Sequence, residues 1–178
     1  MKKPPGRFET KRLLLRRFRF EDAASVYEFA KNELNTKYVA WPTHTKIEHS
    51  KSFLEYSIKA FDKGHEFSYG IELNQTGSFI GWIGIRLIDE TSLYIGYFID
   101  QHFWNQGYAT EAAVCLFEWG REQESITKIE SSCHTENSAS ARVLEKIGLS
   151  LIETIPSPHD FPNLLDMPHN TLRFEYIK

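Results

Sequence analysis

Residues 103–111, Phe103-Trp-Asn-Gln-Gly107-Tyr-Ala-Thr-Glu111, hold the strongest chemical signal in the chain. A strand-like run, Leu93-Tyr-Ile-Gly-Tyr-Phe-Ile99, leads into them, and a helix-like run ending near Gln123 follows. A strand, a short glycine-containing loop and a helix N-terminus together make an anion site. The first N–H groups of a helix have no internal partner and carry a partial positive charge, so a phosphate answers both at once. Gly107 and Ala109 lack bulky side chains, which leaves the backbone open to a diphosphate. A tight turn before a helix uses the same residue types. The loop therefore gains its meaning from a second segment further along.

That segment is Glu136-Asn-Ser-Ala-Ser140-Ala-Arg-Val-Leu-Glu-Lys-Ile-Gly148-Leu149. Asn137 and Ser138 have N-cap chemistry, Ser140, Val143, Leu144 and Ile147 recur at helical spacing, and Gly148 is a C-terminal stop. Residues 128–133 before it alternate like a strand. Read alone, this is one more strand–helix unit of an α/β domain. Together, Trp104-x-x-Gly107-Tyr108-Ala109-Thr110-Glu111 and Asn137-x-x-Ser140-x-x-Val143-Leu144-Glu145-Lys146-x-Gly148 resemble the GNAT superfamily of acyl-CoA-dependent N-acetyltransferases. The form is most similar to a subgroup that acetylates the N-terminal residue of ribosomal proteins, and the resemblance runs from Thr10 to Tyr176.

The resemblance implies acetyl-CoA as co-substrate, no metal, and direct attack by a primary amine in a ternary complex. It assigns the pyrophosphate to the backbone N–H groups of Gln106, Gly107, Tyr108, Ala109 and Thr110. It assigns the pantetheine amides to the backbone of Phe98 and Ile99, and a side-chain contact on the pantetheine arm to Asn137, which serves equally as a plain N-cap. Many members carry a proton-donating tyrosine seven residues after that asparagine; here the position is Leu144. The ribosomal-protein subgroup has a serine at the position of Ser140, which makes Ser140 the expected general acid toward sulfur, set against back-bonding within its helix. Arg142 stands between an adenosine-phosphate contact and a surface ion pair. Where related chains place a glutamate base, this one has Tyr94, and Glu72, Glu136, Asp89 or an ordered water are the alternatives. At pH 7, neutralising a lysine amine of pKa ~10.4 costs about 4.6 kcal/mol, whereas an α-amine near ~8 costs about 1.4. A site without a strong base favours the second, so a protein N-terminus is the expected acceptor. A small amine (amino acid, polyamine or antibiotic) is the alternative, and a non-catalytic acyl-CoA-binding module is a reading of another class.

The elements that must position these groups follow from periodicity. Residues 11–18 read as a strand, followed by a helix from about Phe20 with Ala23, Val26, Tyr27 and Ala30 on one face. A loop through Tyr38 and Trp41-Pro42 leads to a second helix, capped at Thr45, with an apolar stripe of Phe53, Tyr56, Ala60 and Phe61 up to Gly64. Residues 66–73 and 78–87 form a hairpin about Asn74-Gln-Thr-Gly77, and 92–99 is the next strand. The helix over 108–122 puts Ala109, Ala112, Ala113, Leu116, Phe117 and Gly120 on its core face. Strand 92–99, this helix and strand 128–133 make a βαβ unit whose crossover should be right-handed. In the superfamily those two strands splay to admit the pantetheine arm, and Gly96 suits a bulge that starts the splay. Residues 151–155 and 171–176 read as strands, and Pro156-Ser-Pro-His-Asp-Phe-Pro162 as a loop bordering the substrate pocket. Tyr38, Trp41, Trp82 and Tyr94 are candidate linings of an amine pocket, with aromatic core as the default. The expected architecture is a single α/β (α+β) domain over 1–178, core 10–176, with a mixed, mostly antiparallel sheet. The family pattern implies about seven strands with helices on both faces.

Composition agrees with one globular domain: 178 residues, 41% hydrophobic and 14% aromatic. No apolar run reaches the length of a membrane span, and no hydrophobic segment follows the basic N-terminus, so a cytoplasmic protein is expected. Cys115 and Cys133 make no disulfide framework and read as reduced thiols. His44 and His49 lack partners at zinc spacing, and no Gly-x-Ser-x-Gly or P-loop motif is present. The first 20 residues hold eight Lys or Arg against one Glu, or +7, so the total of −3 leaves −10 for residues 21–178. An acidic body attracts a cationic amine and disfavours nucleic acid, and the arginines of the first strand read as its solvated face. A monomer or homodimer is expected.

Overall fold

Strands of alternating burial, broken by helices with a single apolar stripe, build the chain into one eight-stranded sheet in the order β1-β2-β3-β4-β5-β6-β8-β7. The computed structural model describes residues 1–157, 161–164 and 168–178. The strands are β1 Arg7–Glu9, β2 Leu13–Arg17, β3 Glu66–Leu73, β4 Phe79–Leu87, β5 Ser92–Ile99, β6 Lys128–His134, β7 Ser150–Pro156 and β8 Asn170–Ile177. The α-helices are α1 Ala23–Ala30, α2 Glu33–Thr36, α3 Ile47–Lys63, α4 Tyr108–Glu122 and α5 Ser138–Lys146. The sheet is mixed and mostly antiparallel, as expected, with eight strands rather than about seven. The added strand is the short β1, which pairs with β2 and carries too few residues for a period-2 signal.

Two apolar clusters flank the sheet. One joins Leu13, Leu15, Ile83, Ile95 and Ile129 to Ala112, Ala113, Leu116 and Phe117 of α4 and to Leu144 of α5. The other joins Phe18, Val26, Phe29, Leu54 and Phe98 beneath α1 and α3. The buried face of α3 is Ser50, Leu54, Ser57, Ala60 and Phe61, so the stripe is rotated from the expected one and Tyr56 is 55% exposed. Tyr56 remains at the surface because its hydroxyl donates to Glu66 at 3.0 Å. The arginines of the first strand do not share one solvated face either. Arg16 is buried, with Nη1 and Nη2 each 2.8 Å from the Asp22 carboxylate and Nε 2.9 Å from Glu72. Hydrogen bonding to Asp22 outweighs burial and pushes the Arg16 guanidinium above its ordinary value.

Among the described residues the one parallel pair is β5–β6, and it holds for only three residues: Ser92↔Lys128, Leu93↔Ile129 and Tyr94↔Glu130. Beyond Tyr94 the two strands part, bridged by side chains where Ser131 Oγ donates to the Ile95 carbonyl at 2.8 Å and where the Tyr94 hydroxyl meets Ser132 Oγ. The parting does not start from a bulge at Gly96, which keeps its place opposite Gly84. A register shift lies instead in the neighbouring β3–β4 pair, between Ile71 and Glu72 of β3, and another in β7–β8 between Leu151 and Glu153. At the β3–β4 shift Gly81 has φ 154°, and a Cβ on it would sit 2.1 Å from the Phe98 carbonyl oxygen, so no larger residue fits.

Candidate active site

The loop entering α4 is built from two left-handed residues, Asn105 at φ 58° and the N-cap Gly107 at φ 80°. That turn aims consecutive N–H groups to one side, the nest geometry that receives anions. Among the described residues, the amides of Asn105, Gln106, Gly107, Tyr108, Ala109 and Thr110 donate to no protein group; the first helical donor is Glu111, to the Gly107 carbonyl at 3.0 Å. These are the donors a diphosphate needs, so the residues present fit the nucleotide end of coenzyme A.

The cleft between β5 and β6 supplies main-chain groups of the right kind. Ladder bonds from Ile88 N–H to the Ser92 carbonyl and from Asp100 N–H to the Ile80 carbonyl set the phase of the β4–β5 pair. With that phase, Phe98 faces Trp82 as a hydrogen-bonded pair, and its N–H and C=O both turn to β4. The expectation of Phe98 as a main-chain partner in the cleft is therefore corrected. The groups that turn to the cleft belong to Ile95, Tyr97 and Ile99, and the Ile99 carbonyl already accepts the Trp104 indole N–H at 2.6 Å. Phe98 contributes its ring instead, buried 4.8 Å from Phe29 and 6.0 Å from Trp41 between ring centroids.

Across the cleft stands the N-terminus of α5. Asn137 is its N-cap, with Oδ1 accepting the Ser140 N–H at 3.1 Å. Ser140 Oγ lies 2.8 Å from the Tyr97 hydroxyl, which donates to the Ser140 carbonyl at 3.0 Å. Since the Tyr97 proton goes to that carbonyl, the Ser140 hydroxyl is left to donate to the Tyr97 oxygen. Burial pushes the Tyr97 phenol well above its ordinary value, so it remains a proton carrier at neutral pH. Sequence reasoning missed Tyr97; its signal was position, two residues beyond Ile95 on the cleft-facing phase of β5. Leu144, where a tyrosine is common in the superfamily, is fully buried in the core. Arg142 is exposed, its Nη1 3.4 Å from Ser138 Oγ.

Cys133 borders the same corner, and burial pushes its thiol up to about 11 despite a hydrogen bond with Ser140. It is neutral near pH 7 and a poor nucleophile. Of the carboxylates considered as base, Glu72 on β3 is committed to Arg16 on β2. Asp89 lies in the turn before β5, at the end of that strand away from Tyr97 and Ile99. Glu136 alone reaches the cleft mouth, where Tyr38 donates to its Oε2 at 3.3 Å.

Opposite α5, the cleft is walled by aromatic groups. Tyr38 stacks on His134 at 5.2 Å, and Trp41 faces Phe98, so the 38–41 loop spans the gap from β6 to β5. Asn163 clasps this loop to the segment before β8. Its Nδ2 donates to the carbonyls of Thr36 and Trp41, both at 2.8 Å, and its Oδ1 accepts from Thr43 N–H at 2.9 Å. This residue was also missed in sequence, because its three partners, Thr36, Trp41 and Thr43, lie 120 or more positions away. Phe161 packs edge-on to His134 at 4.8 Å. Of the expected bordering loop 156–162, residues 158–160 lie outside the described residues. Trp82 packs on Phe53 away from the cleft, while the Tyr94 hydroxyl lies 2.8 Å from Ser132 Oγ. His134 Nδ1 accepts the Glu136 N–H at 3.1 Å, and its Nε2 lies 3.3 Å from His169 Nδ1. Burial lowers the His134 pKa, Glu136 opposes that, and His169 and Lys37 add to it.

Comparison with known proteins places this geometry. Residues 12–150 match the family described as "Acetyltransferase (GNAT) domain". "Uncharacterized N-acetyltransferase YnaD" of Bacillus subtilis (strain 168) is 33% identical over 141 residues, 79% of this chain and 80% of that protein. Among solved structures, RimL, a ribosomal L7/L12 alpha-N-protein acetyltransferase in complex with coenzyme A, superposes with a TM-score of 0.83 at 19% identity, over 94% of this chain and 95% of that one. The microcin C7 self immunity acetyltransferase MccE, in complex with acetyl-CoA and AMP, gives 0.86 at 19% identity, over 99% and 98%. Those two share the fold with this chain while being named for different roles, N-terminal acetylation of a ribosomal protein in one and self immunity to microcin C7 in the other. Among the described residues, no helix is long and apolar enough to cross a membrane.

Proposed function

Because the chain belongs to the GNAT acetyltransferase family, we propose that it transfers the acetyl group of acetyl-CoA to the α-amine of a protein N-terminus. The co-substrate supplies an activated acetyl thioester. The chain's own groups do the rest: the 105–110 amides receive the diphosphate, Ile99 and Tyr97 offer main-chain groups to the arm, and Asn137 orders the α5 entrance. The attacking amine releases its proton to solvent at the cleft mouth, and Ser140, whose hydroxyl is hydrogen-bonded to Tyr97, gives its proton to the departing sulfur and is reprotonated from water. The neutral Cys133 thiol supports direct attack over an acetylated enzyme.

The observation that carries the acceptor reading is the cleft mouth. Among the described residues it holds aromatic walls, Tyr38 and Trp41, and a carboxylate, Glu136, hydrogen-bonded by Tyr38. Such a mouth attracts an ammonium group and, among the described residues, offers no strongly basic group to strip a lysine. An α-amine near pKa ~8 needs about 3 kcal/mol less than a lysine to become neutral at pH 7. The test pairs peptides of one sequence, one with a free N-terminus and no lysine, the other with a blocked N-terminus and one lysine. Thiol release at least tenfold faster with the free N-terminus is expected; equal rates would overturn the acceptor assignment.

A further inference from the structure

Arg12, at the start of β2, lies ninety-odd residues from the α4 loop in sequence yet is wired into it. Its Nε donates to Glu111 Oε2 at 2.6 Å, its Nη1 to the Gln106 carbonyl at 2.9 Å, and its guanidinium stacks over the Tyr108 ring at 4.4 Å. Glu111 Oε1 accepts in turn from the Arg12 N–H at 2.8 Å and from Thr10 Oγ1 at 2.7 Å. Two of the five guanidinium N–H donors are thereby used. Nη2 donates to no protein group among the described residues, and it sits 3.4 Å from where a Cβ on Gly107 would be. A free, charged donor pair therefore borders the N-cap glycine of the anion loop.

The placement of Glu111 needs an explanation that Arg12 provides. A carboxylate in the first turn of α4 suits the helix dipole but repels a diphosphate at the same helix end. Burial opposes its ionisation, yet hydrogen bonds from Thr10 and Arg12 outweigh that and hold the Glu111 carboxyl below its ordinary range. It is therefore charged, and only an adjacent cation makes the loop hospitable to an anion.

We propose that Arg12 completes the diphosphate site, with Nη2 as its side-chain donor and the ion pair to Glu111 shielding the ligand from that carboxylate. The planar guanidinium matches phosphate geometry, while its pair with Glu111 and stacking on Tyr108 orient it in advance. This rests on the coenzyme A reading above and assigns a specific residue within it.

The test compares a ligand that carries the diphosphate with one that lacks it. Calorimetric coenzyme A affinity, and KM for acetyl-CoA and for S-acetylpantetheine, are measured for the wild type, Arg12→Gln and Arg12→Lys. Losing a charged hydrogen bond should weaken coenzyme A binding by roughly tenfold to a hundredfold in Arg12→Gln. The KM for S-acetylpantetheine should stay within about twofold, since that arm lies beyond the reach of Arg12. Adding Glu111→Gln should recover part of the loss. Arg12→Lys keeps the cation against Glu111, guards against misfolding, and should show a smaller loss in the same direction. An unchanged coenzyme A affinity, or equal losses with both thioesters, overturns the role of Arg12. A wild type that binds no coenzyme A overturns the cofactor reading itself.

Discussion

Replacing the hydroxyls that meet at the cleft separates catalysis from architecture. Ser140 Oγ and the Tyr97 hydroxyl lie 2.8 Å apart, and Tyr97 also donates to the Ser140 carbonyl at 3.0 Å. Tyr97→Phe removes both neutral hydrogen bonds, together worth about 2 kcal/mol of stability, or a melting-temperature drop of roughly 4–8 °C for a chain of this size. Its catalytic effect should be larger. A positioned general acid contributes ~10²-fold or more, equal to about 2.7 kcal/mol of barrier. Ser140→Ala should therefore lower kcat about a hundredfold while coenzyme A affinity changes by less than about threefold, because the diphosphate amides lie on another element. Tyr97→Phe should lower kcat by a smaller factor in the same direction. If the two hydroxyls form one relay, the double variant should be little worse than Ser140→Ala alone, since groups acting as a unit are non-additive. Thiol release under saturating acetyl-CoA and N-terminal peptide reads kcat, and thermal unfolding reports the architecture. Ser140→Ala with more than half the wild-type kcat refutes the assignment, as does a fully additive double variant.

Two further outcomes are expected. Gly107→Val forces a β-branched residue to φ 80°, at a strain of about 1–2 kcal/mol, and brings side-chain bulk over the free amides. Coenzyme A binding should be abolished while far-ultraviolet circular dichroism is unchanged, and retained affinity would show that the diphosphate lies elsewhere. Acidification should destabilise the protein through His134. Burial lowers its folded pKa below its unfolded value of about 6.5, so its contribution is present above that pH and fades as pH falls toward the folded pKa. His44, lowered by burial and by His49, acts in the same sense. The melting temperature should fall between about pH 7 and 5, and His134→Gln should flatten that slope; an unaltered slope would place the proton uptake on other groups.

Sequence alone determined what depends on neighbours along the chain. The anion loop was legible because left-handed turns and free helix-start amides are local consequences of Gly107 and the residues around it. The α5 cap was legible for the same reason: Asn137 sits three positions from the N–H it accepts. The buried face of α4 followed from its 3.6 period, since one side of that helix is apolar throughout.

Tertiary structure decided whatever depends on contacts between distant segments. The α3 stripe turned because burial followed the surface it packs on, placing Leu54 inward and Tyr56 outward. The cleft-facing phase of β5 was set by its pairing with β4, which turns the main-chain groups of Tyr97 and Ile99, rather than those of Phe98, toward the cleft. Arg12, Tyr97 and Asn163 acquired their partners from remote parts of the chain. A side chain's period reveals which way it faces within its own element, whereas its partner is chosen by how separate elements dock. That is why the loop of unpaired amides before α4 could be read in sequence, and the Tyr97–Ser140 pair and the Tyr38–Glu136 contact only in three dimensions.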